Sequence, residues 1–379
     1  MDKFLIILLF AVFPLGQLDR FNLAGSEVVI HLNDAIVAVV TLLLTWHHRR
    51  EFLQNLKTDA LVKPLGFWLL AILASLAVNL PHLTSRQLLI SGLYPLRWFL
   101  YAALYLAVAP LPEKSRSLIR PGLIFAGLTV SFVGLLQYIF LPDVSFLKTL
   151  DWDDHYYRLV GSFLDPGFTG AILVLALILA VEKILQNPLQ KLFWFLSLGV
   201  YTTLALTYSR ATYLMYLVAF VVISLARRSS KIFLVAALVL FFTLLVLPRP
   251  FGEGVRLTRE NSAWARLRNW QQSAEIWSKH PLFGVGFNAY RYATNSSSKS
   301  HAGAGADSSL LLVAATTGLL GLLSYLYILK RLFLQGRNDL VFIASFFAVL
   351  VHSAFNNTLF YPWIMEWLWL LLATGRILK

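Results

Sequence analysis

The sequence predicts an all-α integral membrane protein of about twelve transmembrane helices, with one large extracytoplasmic loop whose amphipathic helix lies along the membrane interface. Three observations predict it. Of 379 residues, 58% are hydrophobic and 13% charged, more apolar surface than a single soluble core can bury. Apolar runs of roughly 16 to 24 residues recur from end to end, a length that suits a hydrocarbon layer of ~30 Å. The short stretches between them hold nearly all the charge, and their basic content alternates.

Taken in order, the spans fall near 4–18, 29–46, 64–80, 87–109, 121–141, 166–183, 191–207, 211–226, 231–248, 307–329, 339–356 and 359–375. The first follows Met1-Asp2-Lys3 and lacks a small-residue cleavage site, so it reads as a retained helix rather than a signal peptide. With the N-terminus inside, alternate loops hold Arg49, Arg50, Lys57 and Lys63; Arg116 and Arg120; Lys183 and Lys191; Arg227, Arg228 and Lys231; Lys330, Arg331 and Arg337; then Arg376 and Lys379. The opposite short loops hold only Arg20, Arg86, Lys148, Arg158 and Arg210, so both termini are expected in the cytoplasm. The net charge of +13 therefore reports orientation, and no nucleic-acid partner is expected. Without cysteine there is no disulfide scaffold, thiol nucleophile or thiolate metal site. Residues 1–379 read as a single transmembrane helical domain without a visible internal repeat, and 249–306 as an extracytoplasmic loop inserted between the ninth and tenth spans.

Two outward segments exceed simple turns: 141–166, with Asp151, Asp153, Asp154 and Arg158, and 249–306, with eight basic residues. Within the longer one, 261–279 reads as a helix, because Ala263, Leu267, Trp270, Ala274 and Trp277 form a stripe at helical spacing. Tryptophans on that stripe suit a helix at the interface. At ~100° per residue Arg266 lies on the edge of the stripe and Arg268 nearly opposite, facing water. Gly284-Val285-Gly286 and the 296–305 stretch read as flexible loop.

Several motifs stand around these segments: Phe13-Pro14-Leu-Gly16; Tyr157-Arg158-Leu-Val-Gly161-Ser-Phe163-Leu-Asp165-Pro166; Thr207-Tyr-Ser209-Arg210-Ala211; Arg266-Leu-Arg-Asn-Trp270; His280-Pro281-Leu-Phe-Gly284-Val-Gly286; Asp307-Ser308-Ser-Leu310; and Thr317-Gly318-Leu-Leu-Gly321. In order and spacing they resemble the O-antigen ligase and O-antigen polymerase superfamily over most of the chain. The resemblance implies a fold of the glycosyltransferase C type. It also implies an inner-membrane enzyme that takes a glycan from a polyprenyl (undecaprenyl) diphosphate carrier and joins it to a lipid or glycan acceptor hydroxyl at the extracytoplasmic face, among membrane lipids. No cofactor and no metal is expected.

The residues supply a physical basis. A departing diphosphate needs its charge stabilised, and arginine offers a permanently charged fork that chelates phosphate oxygens. Arg210, Arg266 and Arg158 are the candidates, the alternative being that they anchor helices at lipid headgroups. The acceptor hydroxyl needs a base. In ligases of this kind the resemblance assigns that role to a histidine before the tenth span, but here Asp307 stands at the matching place and the nearest histidine is His301. Asp307 as base, Asp307 as helix cap, and His301 folded over the site are the readings open at this point.

Ionisable groups inside hydrocarbon cost roughly 2.5 to 3.5 kcal/mol unless paired or hydrated. Arg97, Asp34 and Glu366 fall within spans, with Asp34 about a turn and a half from the outer end of the second; Arg97 is expected to pair with Asp34 or Glu366 and to line an outward cavity with His352, Asn356 and Asn357. A structural ion pair between helices is the plainer alternative. A multi-span transporter of a small anion or lipid-linked glycan is the competing class of function, and a scaffold of an envelope complex a third. The position of the single long loop favours an enzyme working at an interface.

Overall fold

A computed structural model describes residues 1–22, 28–150, 152–250, 253–294 and 305–375; Asp151, His301, Arg376 and Lys379 lie outside the described residues, as does most of the 296–305 stretch. The protein is 77% helical, and its one sheet among the described residues is a pair of three-residue strands. Among the described residues, four helices are long and apolar enough to cross a bilayer: Ser85–Val108, Glu113–Phe140, Pro166–Gln186 and Ser309–Gly336. Arg49–Thr58 with Val62–Val78, bent by 79°, makes a fifth if counted as one span. Other expected spans appear as shorter apolar helices, including Leu32–His47, Lys191–Ala205, Arg210–Ala226, Ser230–Val246 and Leu340–His352. Run length counts apolar residues whatever their conformation, and here several runs begin or end in strand, turn or 3-10 helix.

The chain folds as two compact units. The first comprises Met1–Asp19, Ser117–Glu260 and Arg337–His352. At its centre is Pro166–Gln186. The Asp165 carboxylate caps this helix by accepting from the Phe168 N–H at 2.8 Å, and Pro166 stands at the first turn, where its missing N–H costs nothing. Every residue from Ala171 to Ala180 is buried, because Ile119–Phe140, Lys191–Ala205, Arg210–Ala226 and Leu340–His352 all pack on it. At one end Arg120 is paired with Glu182 at 3.2 Å and with Asp339. The Ile119–Phe140 helix leads away from Arg120, and Pro166–Gln186 returns to it. The segment 141–165 and the turn before Arg210 therefore lie at the opposite end. That segment is tied down: Gln137 Oε1 accepts from Val160 N at 2.9 Å, Leu159 N donates to Leu206 O at 2.9 Å, and Val144, Leu147 and Val160 form a buried cluster.

The second unit comprises Arg20–Arg116, Asn261–Gly336 and Ser353–Lys379. The expected second span opens with the strand Val29–His31, paired antiparallel to Arg20–Asn22, and turns helical only at Leu32. Asp34 consequently sits in the first helical turn, not a turn and a half deep, and its Oδ2 accepts from His31 N at 3.0 Å in a capping box.

The tenth span, Ser309–Gly336, is broken at Gly318 (φ 65, ψ −161). The backbone after Pro281 takes up the groups this break frees: Leu319 N donates to Pro281 O at 2.8 Å, Val285 N to Ala315 O at 3.1 Å and Gly286 N to Thr316 O at 3.0 Å. Two glycines make the approach possible. A Cβ on Gly318 would lie 2.3 Å from the Leu282 carbonyl, and one on Gly284 2.3 Å from the Thr316 carbonyl carbon; both residues have positive φ. Ser75 Oγ donates to Thr316 O at 2.7 Å and Asn79 Nδ2 to Gly284 O at 3.0 Å. Gly284-Val285-Gly286 is thus not a flexible loop. It is backbone held in place because a helix interrupted among apolar neighbours needs its freed groups satisfied by protein.

Candidate functional site

In the first unit the Thr207–Arg210 turn gathers three arginines. Ser209 caps the Arg210–Ala226 helix through Thr212 N, which sets Arg210 at the first helical position. Arg210 Nη1 donates to Leu257 O at 3.2 Å and Arg259 O at 3.1 Å, folding the loop after the ninth expected span back over the turn. Arg259 Nη2 then reaches Tyr208 O at 3.2 Å, and its Nη1 reaches Gly254 O at 2.8 Å. Arg158, 8% exposed, donates from Nε to Thr207 O at 3.1 Å, and its Nη1 lies 3.5 Å from His155 Nδ1. Burial and the neighbouring Arg259 charge bring the Arg158 guanidinium down to about 10, with Asp165, Tyr213 and Asp153 acting in the other direction. A cleft of about 520 Å³ beside these residues is lined by Arg249, Pro250, Arg256, Leu257 and Thr258. Such a constellation of donors suits an anion with several oxygens.

In the second unit, Asn261–Lys279 is helical as expected. Ser262, Arg266, Asn269, Ser273 and Ile276 turn inward, while Trp264 (55% exposed) and Leu267 (38%) point out. Of the expected stripe, Ala263, Leu267 and Ala274 are exposed, whereas Trp277 and Trp270, whose ring lies 5.9 Å from that of Phe355, are half-buried. Arg266 is half-buried and Arg268 exposed, as their helical positions imply. One turn along that inner face, Asn269 Oδ1 accepts from Asp307 N at 2.8 Å, and Ser273 Oγ meets Tyr290 Oη at 2.8 Å. The structure thereby brings Arg266 and Asp307 to the same side of this unit. The helix after Asp307 begins at Ser309, two residues on. His301 lies outside the described residues.

The ionisable groups within the spans of the second unit form one polar chain. Arg97 Nη2 is 2.9 Å from Asp34 Oδ2 and also bonds Val29 O. Tyr101 Oη donates to Asp34 Oδ1 at 3.0 Å; Asn33 Nδ2 reaches Tyr101 Oη at 3.2 Å and Glu366 Oε2 at 2.7 Å. Of the two partners expected for Arg97, Asp34 takes the ion pair and fully buried Glu366 is bonded by Asn33. His352, in the first unit, is fully buried with its ring 6.4 Å from that of Phe168.

Sequence reasoning missed Arg259, His155, Asn33 and Asn269. Nothing in the spacing of Arg249, Arg256 and Arg259 distinguishes the one that folds back, whereas Asn269 shared the face of Arg266 and could have been found by position. No curated protein matches the chain. Residues 192–326, which include Arg210, Arg259, Arg266 and Asp307, match the family described as O-antigen ligase, a match that supports the resemblance to the O-antigen ligase and polymerase superfamily.

Proposed function

We propose that the protein is a metal-independent inner-membrane glycosyltransferase, ligase-like or polymerase-like. It moves a glycan from a polyprenyl (undecaprenyl) diphosphate to an acceptor hydroxyl of a lipid or glycan at the extracytoplasmic face. The observation that carries this reading is the gathering of Arg158, Arg210 and Arg259 around one turn, at the end of the unit opposite the Arg120 ion pairs. In the reaction the bond from the anomeric carbon to the phosphate oxygen breaks and its electron pair leaves on the diphosphate, where the guanidinium groups stabilise the charge. The acceptor oxygen bonds the same carbon, and its proton passes to the Asp307 carboxylate. Arg266, on the helix whose Asn269 accepts from Asp307 N, is a further candidate to bind the diphosphate.

The test is reconstitution with a polyprenyl diphosphate oligosaccharide and a panel of acceptors. Arg210→Ala and Arg266→Ala are expected to lower transfer about 10²- to 10³-fold, and Asp307→Asn about 10²- to 10⁴-fold, in protein that still extracts and unfolds as wild type does. Near-normal transfer by both arginine variants removes them from the mechanism. The break at Gly318 favours one second reading, since interrupted helices also build carrier sites. A carrier would move the intact lipid-linked glycan between leaflets and form no new glycosidic bond.

A further inference from the structure

The loop that follows Ser230–Val246 is folded against the Thr207–Arg210 turn from both sides. Tyr208 Oη donates to Pro248 O, and Arg210 Nη1 donates to Leu257 O at 3.2 Å. These bonds fix the two lips of the cleft of about 520 Å³, one at Arg249 and Pro250 and the other at Arg256, Leu257 and Thr258. They also engage the cations of the turn with backbone: Arg210 Nη1 bonds two carbonyls, and the terminal nitrogens of Arg259 bond Gly254 O, Arg256 O and Tyr208 O. Arg210 and Arg259 therefore hold the walls.

Arg249 and Arg256 stand differently. Both are exposed and both line the cleft. Arg249 donates from Nη2 to Leu244 O at 3.0 Å, which sets its guanidinium back against the last turn of the helix. The Arg256 side chain makes no hydrogen bond or ion pair among the described residues. Two guanidinium groups on one concavity repel each other unless an anion lies between them, and their open N–H groups suit phosphate oxygens.

An apolar groove of about 420 Å³ runs along the helix that leads to this cleft, lined by Val235, Leu238, Val239, Phe242, Thr243 and Val246. These residues recur at helical spacing on one outward face, whereas Ala236 and Leu240 on another are buried. From Val235 to Val246 the face runs roughly 16 Å at 1.5 Å per residue. It ends three residues before Arg249, and the Arg249–Leu244 bond brings that arginine back to the end of the groove. A ligand that complements both parts is apolar along its length and anionic at one end. Two arginines match the charge of a diphosphate better than the single phosphate of a bilayer lipid.

We propose that the groove on Ser230–Val246 and the cleft beyond it form one site for an isoprenoid diphosphate, with the prenyl chain along the helix and the diphosphate between Arg249 and Arg256. It rests on the glycosyltransferase reading and adds to it two binding residues and the path of the donor's chain.

The experiment uses full-length protein in detergent micelles and a farnesyl diphosphate analogue with a diazirine at the tail of its chain. Cross-links are expected on Ser230–Val246, suppressed by excess farnesyl diphosphate and far less by phosphatidylglycerol. Arg249→Gln and Arg256→Gln are each expected to weaken farnesyl diphosphate binding about tenfold, and about a hundredfold together, the loss that accompanies hydrogen bonds to a charged group. Inorganic pyrophosphate should follow the same order. Val239→Trp, which fills the groove, is expected to weaken farnesyl diphosphate about tenfold and to leave pyrophosphate binding unchanged. All three side chains are exposed, so the unfolding temperature should stay at that of wild type. Equal suppression by phosphatidylglycerol means that bilayer lipid covers this face, and overturns the assignment to the donor. Cross-links elsewhere, or unchanged affinity in the folded double arginine variant, defeat the site and leave the transferase reading standing. The expected order of binding in a protein that transfers no glycan defeats the transferase reading and leaves the site.

Discussion

Arg97 and Arg158 are both largely withdrawn from solvent, yet they sit in opposite electrostatic settings. Arg97 is matched from within the chain, by the Asp34 carboxylate at 2.9 Å and the Val29 carbonyl. Arg158 has no acid paired to it among the described residues, and burial, then the charge of a second cation, Arg259, lowers its pKa to about 10. A buried cation satisfied internally is architecture: it fixes one helix against another. A buried cation that is set against a like charge opposes folding, and that arrangement persists where an anion from outside relieves it. The contrast separates the two arginines more sharply than burial alone.

The largest effect expected is on Arg97. Replacing it with leucine leaves Asp34 without its counter-charge, a loss of about 3–5 kcal/mol, and Arg97→Leu with Asp34→Leu should recover much of it. Thermal unfolding of the detergent-solubilised protein measures both; a loss below ~1 kcal/mol for the single change would mean that the pair is not structural. Arg158→Gln should behave in reverse. Glycan transfer falls about 10²- to 10³-fold, while the unfolding temperature holds or rises because repulsion from Arg259 is gone. If both variants lost stability alike, the distinction between the arginines would dissolve.

The smallest effect is a pH dependence. The pKa of His155 lies at about 3 in the folded protein, below the ordinary 6.5, so below pH 6.5 the unfolded chain takes up a proton there that the folded chain refuses. The stability linked to this residue is complete above about pH 6.5 and is lost as pH falls toward about 3. Melting curves from pH 7 to pH 4 should therefore fall less steeply for His155→Phe than for wild type. Parallel curves would mean that the ring already titrates in the folded protein.

Much of the candidate site could be read from residue type and order. Arg158, Arg210, Arg266 and Asp307 stand in motifs, and a pairing of Arg97 with either Asp34 or Glu366 followed from the cost of leaving a charge alone in hydrocarbon. Other parts could not be read that way. Arg259 matters because two carbonyls of its loop accept from Arg210, and His155 matters because a chain turn sets its Nδ1 against Arg158.

Apolar run length, charge placement and motif order were enough to determine a nearly all-helical protein with helices able to cross a membrane and a resemblance to the O-antigen ligase family, because insertion into hydrocarbon depends on composition summed along a segment. Tertiary structure alone decided which arginines converge, which face of the Asn261–Lys279 helix turns inward, and that the Ser309–Gly336 helix breaks at Gly318 and borrows partners from Pro281 to Gly286. Those outcomes depend on backbone groups finding acceptors far away in the chain, and side-chain periodicity carries no record of where a distant carbonyl will lie.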